Sequence, residues 1–163
     1  MLRLLCLAAL LGVAPHPRAQ AQAAAPAQAA APASPAQRAG TIKLVEGGVF
    51  LMDAQGGSAR VASAGTFIMA SDQLVTEAGS GASLVLRDGT TLVLGPRSRL
   101  DLRDFRFDTT TNEGSIWVSL LRGSMRMITG LVSKQRPDAL RVQAHTVTIG
   151  VRGTDFIVEV QEP

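Results

Sequence analysis

From Ile42 onward the chain is a succession of short apolar runs broken by glycine. The runs are Ile42 to Val45, Val49 to Met52, Ser83 to Arg87, Thr91 to Leu94, Arg99 to Leu102, Ile116 to Leu121, Met125 to Ile128, Leu140 to Ile149 and Phe156 to Val160. They are rich in Val, Ile, Leu and Thr, and turn pairs such as Gly47-Gly48, Gly56-Gly57, Asp88-Gly89 and Gly95-Pro96 separate them. That pattern predicts β-strands joined by tight turns. Strict alternation puts Val142, Ala144, Thr146 and Thr148 on one face of a strand, and Gln143, His145, Val147 and Ile149 on the other. Sixteen glycines argue against a helical bundle. One segment is ambiguous: Leu120, Leu121 and Met125 are spaced for either structure, so Ile116 to Val132 could hold a short helix.

The fold class is therefore all-β, with two architectures in play. Leu84-Val85-Leu86, Leu92-Val93-Leu94 and Leu100-Asp101-Leu102 recur about eight residues apart, which suits a compact β-helix-like roll of short stacked strands with Gly-rich corners. The alternative is a β-sandwich or barrel, with Asp88-Gly89 as a hairpin turn. The recurrence favours stacked rungs.

The first 40 residues differ in kind. Arg3 precedes an apolar run from Leu4 to Ala14, Pro15 and Pro17 break it, and Ala19-Gln20-Ala21 offers a small-x-small cleavage site. Residues 1–21 thus read as a signal peptide cut between Ala21 and Gln22. The apolar run is well short of the ~20 residues that span a bilayer, so no integral span is expected after cleavage. Residues 22–39 are Ala, Gln and Pro with little to bury, and read as a disordered linker. A single domain over 40–160 and a tail over 161–163 complete the plan.

Cleavage changes the charge picture. Two of the 16 Lys and Arg residues, Arg3 and Arg18, leave with the leader, so the remainder nearly balances 13 acidic residues. Arg and Asp interleave through Arg99-Leu100-Asp101-Leu102-Arg103-Asp104. This is a mixed surface without the basic stripe of a nucleic-acid binder. Cys6 lies in the leader, which leaves no thiol for a disulfide, nucleophile or zinc site, and His145 is the one histidine beyond it. No cofactor site, metal site or catalytic residue is expected.

Several separated motifs go beyond generic patterning. Asp88-Gly89-Thr90-Thr91-Leu92 continues through Leu94-Gly95-Pro96 to Ser98-Arg99-Leu100. Leu121-Arg122-Gly123-Ser124-Met125-Arg126 follows, and near the end comes Thr148-Ile149-Gly150-Val151-Arg152-Gly153-Thr154-Asp155-Phe156. In this order they resemble the FecR domain, with its DGT…L.LGP.S.L stretch, its L-x-G-x-x-R segment and its terminal GVRGT.F stretch. The resemblance extends over nearly all of Gly40 to Val160. Where the family often has Gly-Asp before an L-x-T, this chain has Ser71-Asp72-Gln73-Leu74-Val75-Thr76. The best-known members are sigma-factor regulators with a cytoplasmic segment, one membrane helix and a periplasmic FecR domain. This sequence looks like a stand-alone exported type. The resemblance then implies a periplasmic or cell-surface setting and a non-catalytic binding or scaffolding role toward an envelope partner. A signalling component working with a separate sigma-factor and transducer system is the alternative.

Individual residues can be read two ways. The glycines of Gly150-Val151-Arg152-Gly153-Thr154-Asp155-Phe156 would permit a tight corner, with Arg152 and Asp155 satisfying each other or nearby carbonyls and Phe156 plugging the core. The same residues could instead form a recognition loop. Asp101, Asp104 and Asp108 could serve a polysaccharide-acting enzyme as paired carboxylates, but Arg99, Arg103 and Arg106 among them suggest a surface charge ladder. Asp88 should fill a turn, with Gly89 supplying positive φ. Trp117, the sole tryptophan, reads as a half-buried core residue ahead of an exposed stacking surface, and the scarcity of aromatics counts against an extended carbohydrate platform. Met125 and Met127 read as core filler, and His145 as a surface or rim residue.

Overall fold

The computed structural model describes residues 38–53, 57, 59–151 and 154–161. The signal peptide, the Ala21–Gln22 cut and linker residues 22–37 lie outside the described residues, as do Arg152 and Gly153. The described chain is nearly all strand. Its elements are β1 (Arg38–Glu46), β2 (Val49–Met52), β3 (Arg60–Val61), β4 (Phe67–Met69), β5 (Gln73–Thr76) and β6 (Gly81–Leu86). β7 (Thr91–Leu94), β8 (Arg99–Phe107) and the long β9 (Gly114–Ile128) follow. Then come a short helix, α1 (Leu131–Gln135), a 3₁₀ turn over Pro137–Ala139, and β10 (Leu140–Ala144), β11 (Val147–Gly150) and β12 (Asp155–Val160). β1 begins inside the stretch read as linker, and Ala39 is already in the core.

The strands form one curled sheet in the order β3-β2-β5-β8-β9-β7-β6-β1-β4. β9 is the hinge of this sheet. Its first half pairs with β8 and β10, its second half with β7 and β12. Residues facing each other across neighbouring strands point to the same side, so each half contributes one apolar row. Leu51, Leu74, Leu100 and Leu120 stand in register in one. Ile42, Leu84, Leu92 and Met127 stand in register in the other. All eight are buried, and the curl brings both rows into a single core. Removing one such side chain from water stabilises by about 1.5–3 kcal/mol.

All-β is the observed class, but the neighbours are antiparallel throughout except for the β9–β10 pair. Stacked rungs of a β-helix would pair in parallel. Leu84–Leu86 and Leu92–Leu94 are instead the two arms of the β6–β7 hairpin, and β9 separates β7 from Leu100–Leu102 in β8. The eight-residue recurrence thus records strand-plus-turn length, and the curled sheet is nearer the sandwich or barrel alternative.

Three other expectations are corrected. Ile116 to Ile128 is continuous strand, flanked on both edges, and helix forms only from Leu131. The run Leu140 to Ile149 is two strands, because the chain reverses at His145-Thr146, where His145 takes φ 52°. Pairing then sets Val142 opposite Ile149 and Gln143 opposite Thr148, so the expected alternation holds only up to the turn. Third, Trp117 is on the outer face and 39% exposed, while Ile116 and Val118 take the core positions. Met125 and Met127 are fully buried, as their spacing suggested, and His145 is exposed.

Candidate functional site

The sequence motifs meet along β9. Asp88-Gly89-Thr90 forms the β6–β7 turn, with Gly89 at φ 85°. Asp88 and Thr90 are both only 1% exposed, yet their polar atoms are engaged locally. The Asp88 carboxylate accepts the Thr90 N–H at 3.0 Å and the Thr90 hydroxyl at 2.7 Å. Thr90 Oγ1 in turn accepts the Gly130 N–H at 3.0 Å, and the Asp88 carbonyl accepts the Leu131 N–H at 2.9 Å. The turn therefore clamps the exit of β9.

A second latch holds the middle of β9. Thr76 Oγ1 donates to the Gly95 carbonyl at 2.7 Å and accepts the Ser98 N–H at 2.8 Å, which fixes the Gly95-Pro96 turn. Ser98 Oγ then donates to the Ser124 carbonyl and accepts the Ser124 N–H, both at 3.0 Å. The strand passes from one half of the sheet to the other at Gly123, whose φ is 81°.

The terminal motif is the third contact. Asp155 has a partner in Arg126, the arginine of the L-x-G-x-x-R segment, which bonds it through Nε at 2.9 Å and Nη2 at 2.6 Å. This bidentate pair holds the Asp155 carboxyl below, and the Arg126 guanidinium above, their ordinary values. Both side chains are about half exposed, so the pair sets the register of β12 on β9 more than it adds stability. Alongside it, the Thr129 N–H donates to the Thr154 carbonyl at 2.9 Å. Phe156 is partly buried against the core.

Asp101, Asp104 and Asp108 are not brought together; each lines a different surface depression. Asp101 accepts from Gln73 Nε2 and faces Arg103 at 3.3 Å. Asp104 accepts the Ser115 hydroxyl at 2.9 Å and pairs with Arg106 at 3.3 Å. Asp108 accepts the backbone N–H groups of Thr111 and Thr110, which hold its carboxyl below the ordinary value. Among the described residues no cluster of three His, Cys, Asp or Glu side chains could hold a metal.

Ser71 and Asp72 stand where the resemblance implies Gly-Asp. Ser71 sits at φ 72°, in the left-handed region that costs an L-residue about 1–2 kcal/mol and a glycine little. Asp72 is buried and accepts the Met69 N–H at 2.9 Å, with Arg60 at 3.6 Å. Burial raises its carboxyl above the ordinary 3.8; the Met69 bond and Arg60 oppose the shift, and Asp53 adds to it. A raised acid stabilises the fold fully below its unfolded pKa and loses that contribution as pH rises through its folded pKa. Asp72→Asn should therefore flatten the pH profile. Relative to wild type, its urea midpoint should gain between pH 3.5 and pH 7. An identical pH dependence in the two proteins would exclude Asp72 as the group responsible.

Gly130 was not singled out from sequence, although it completes the first latch; Thr76, the threonine of the L-x-T stretch, completes the second. Nor was the groove around Trp117 foreseen, because strand register, not spacing, puts the indole outside.

Comparison with known proteins gives one family. No curated protein matches the chain, and no solved structure does. The family model described as FecR protein matches residues 72–163, more than half of the chain. Its span starts just before β5, so β1 to β4 precede it, and of these β1, β2 and β4 contribute to the same core. With its motifs converging on β9, the chain belongs to the FecR protein family.

Proposed function

We propose that this protein is a non-catalytic exported component of the cell envelope that works by binding a protein partner. Membership in the FecR family suggests an envelope-associated or signalling role. The observation that carries the finer reading is the use made of the signature residues. Asp88, Thr90, Thr76 and Ser98 are buried and direct their polar atoms at the protein's own backbone and at one another. A motif committed in this way leaves recognition to other surfaces. The lowered Asp108 supports the same reading, since a general acid needs a raised carboxyl, and the three acids do not converge on one site.

The face best suited to a protein partner is the outer side of β7, β9 and β12. There Val93, Arg126 and Ile157 stand in register, with Ile128 one row away. Ile157 is 71% exposed. Val93, Ile128 and Ile157 flank the Arg126–Asp155 pair, an apolar surface around an arginine, a residue type enriched at protein interfaces. A photo-crosslinker at position 157 should give a discrete heterologous adduct in cells, and the purified protein should turn over no member of an envelope-polysaccharide panel. Adducts only with itself would replace the partner by a second copy. Turnover abolished by Asp101→Asn or Asp104→Asn would overturn the non-catalytic reading.

A further inference from the structure

The outer face of the other half of the sheet carries a different kind of site. Trp117 lies between Asp104 on β8 and Arg141 on β10, each its direct cross-strand neighbour. Cross-strand neighbours share a face, so the indole is flanked by a carboxylate on one side and a guanidinium on the other. The segment after β9 supplies a rim with Arg136 and Asp138, and Arg106 and Glu113 close the far end. Together they line a groove of about 670 Å³. Asp138 and Arg141 also line the next depression toward Ile149, and Arg106 and Glu113 line another toward Asp108.

The chemistry of this lining narrows the ligand. It has three arginines and three carboxylates, so neither a polyanion nor a polycation gains from a surplus of opposite charge. Arginine can only donate hydrogen bonds and an ionised carboxylate can only accept them. With Asp104 already held by Arg106 and Ser115, a ligand that meets the other arginines and carboxylates of the groove must itself both donate and accept, as a sugar hydroxyl does. An exposed indole adds a flat apolar surface suited to the C–H face of a pyranose ring. A volume of about 670 Å³ has room for more than one ring.

We infer that the Trp117 groove binds a neutral oligosaccharide stretch of an envelope glycan. This goes beyond the protein-binding role and uses a separate face. With a single stacking residue the affinity is modest, which is compatible with the scarcity of aromatics noted in the sequence.

Trp117 is the sole tryptophan and the chain has no tyrosine, so intrinsic emission reports directly on this groove. The test titrates the full chain with hexamers of glucose and of N-acetylglucosamine, an oligogalacturonate as the acidic counterpart, and a polar peptide. Saturable change in Trp emission with a neutral hexamer, confirmed by calorimetry and largely insensitive to salt, is the expected result. Trp117→Ala should weaken calorimetric binding about fivefold to tenfold. Arg141→Ala should weaken it with the indole still present and keep the wild-type denaturation midpoint, and Trp117→Ala should keep a cooperative transition. Response only to the acidic oligomer, abolished by salt, would overturn the inference, as would response only to the peptide or no response at millimolar sugar. None of these failures touches the outer face of β7, β9 and β12, whose crosslinking is read independently.

Discussion

Gly123→Ala is expected to destabilise the domain by about 3–5 kcal/mol, enough to cancel much of the ~5–15 kcal/mol available to a fold of this size. Two independent costs add at this position. The backbone sits at φ 81°, where an L-residue is penalised by about 1–2 kcal/mol. A Cβ built there would also run into Ser98, lying 2.5 Å from its Cα and closer still to its hydroxyl. Ser98 cannot simply turn away, because its hydroxyl holds both the N–H and the carbonyl of Ser124 and its own N–H is held by Thr76. Gly79 is the matched control. Its φ is 69° but nothing lies within 4 Å of the site a Cβ would occupy, so Gly79→Ala should cost about 1–2 kcal/mol, from the backbone alone. Urea denaturation of both variants, with unchanged slope, separates the steric from the conformational part. Equal losses in the two would mean that the Ser98 latch gives way freely and does not hold β9.

How much of this could be read beforehand follows from which interactions are local. The strands rich in β-branched and leucine residues were legible, because alternation and glycine turns are properties of neighbouring residues. β3 and β4 were not, since they are short and have few buried positions: in β4 only Ile68 is fully inside, and both residues of β3 are exposed; β5 alternates in burial, but its Gln73 and Thr76 ends hide the apolar pattern. β9 was read as two segments because the Arg122-Gly123 bend interrupts its apolar pattern, although the strand runs through it. The order of the strands was out of reach for the same reason as the position of Trp117. Both depend on which strand lies beside which, and a repeat of eight residues is compatible with a hairpin or with a rung. The family motifs were visible as strings of residues, whereas their convergence on β9 appears only in the fold. Arg126 and Asp155 are 29 residues apart in sequence, and Asp155 had a nearer candidate partner in Arg152.

The same distinction between local and distant contacts governs Asp88→Ala, for which a loss of about 2–4 kcal/mol is expected. Removing the carboxylate leaves the Thr90 N–H and the Thr90 hydroxyl without an acceptor in a site from which water is excluded, each costing about 1–3 kcal/mol. The damage spreads because Thr90 also receives the Gly130 N–H, and Gly130 has no room to adjust. A Cβ there would already meet the Asp88 carbonyl, with the Thr90 nitrogen at 2.5 Å and the Asp88 carboxylate at 2.7 Å. Asp88→Asn keeps one acceptor oxygen of the two, so it should lose roughly half as much as the alanine variant. The pair of variants therefore decides what the Asp-Gly-Thr signature is for. Graded loss in the denaturation midpoint, alanine worse than asparagine, fits a turn that clamps β9 through acceptor count. If both variants kept the wild-type midpoint while partner crosslinking at position 157 vanished, the signature would be a recognition element after all, and the argument that it is committed to the fold would fail.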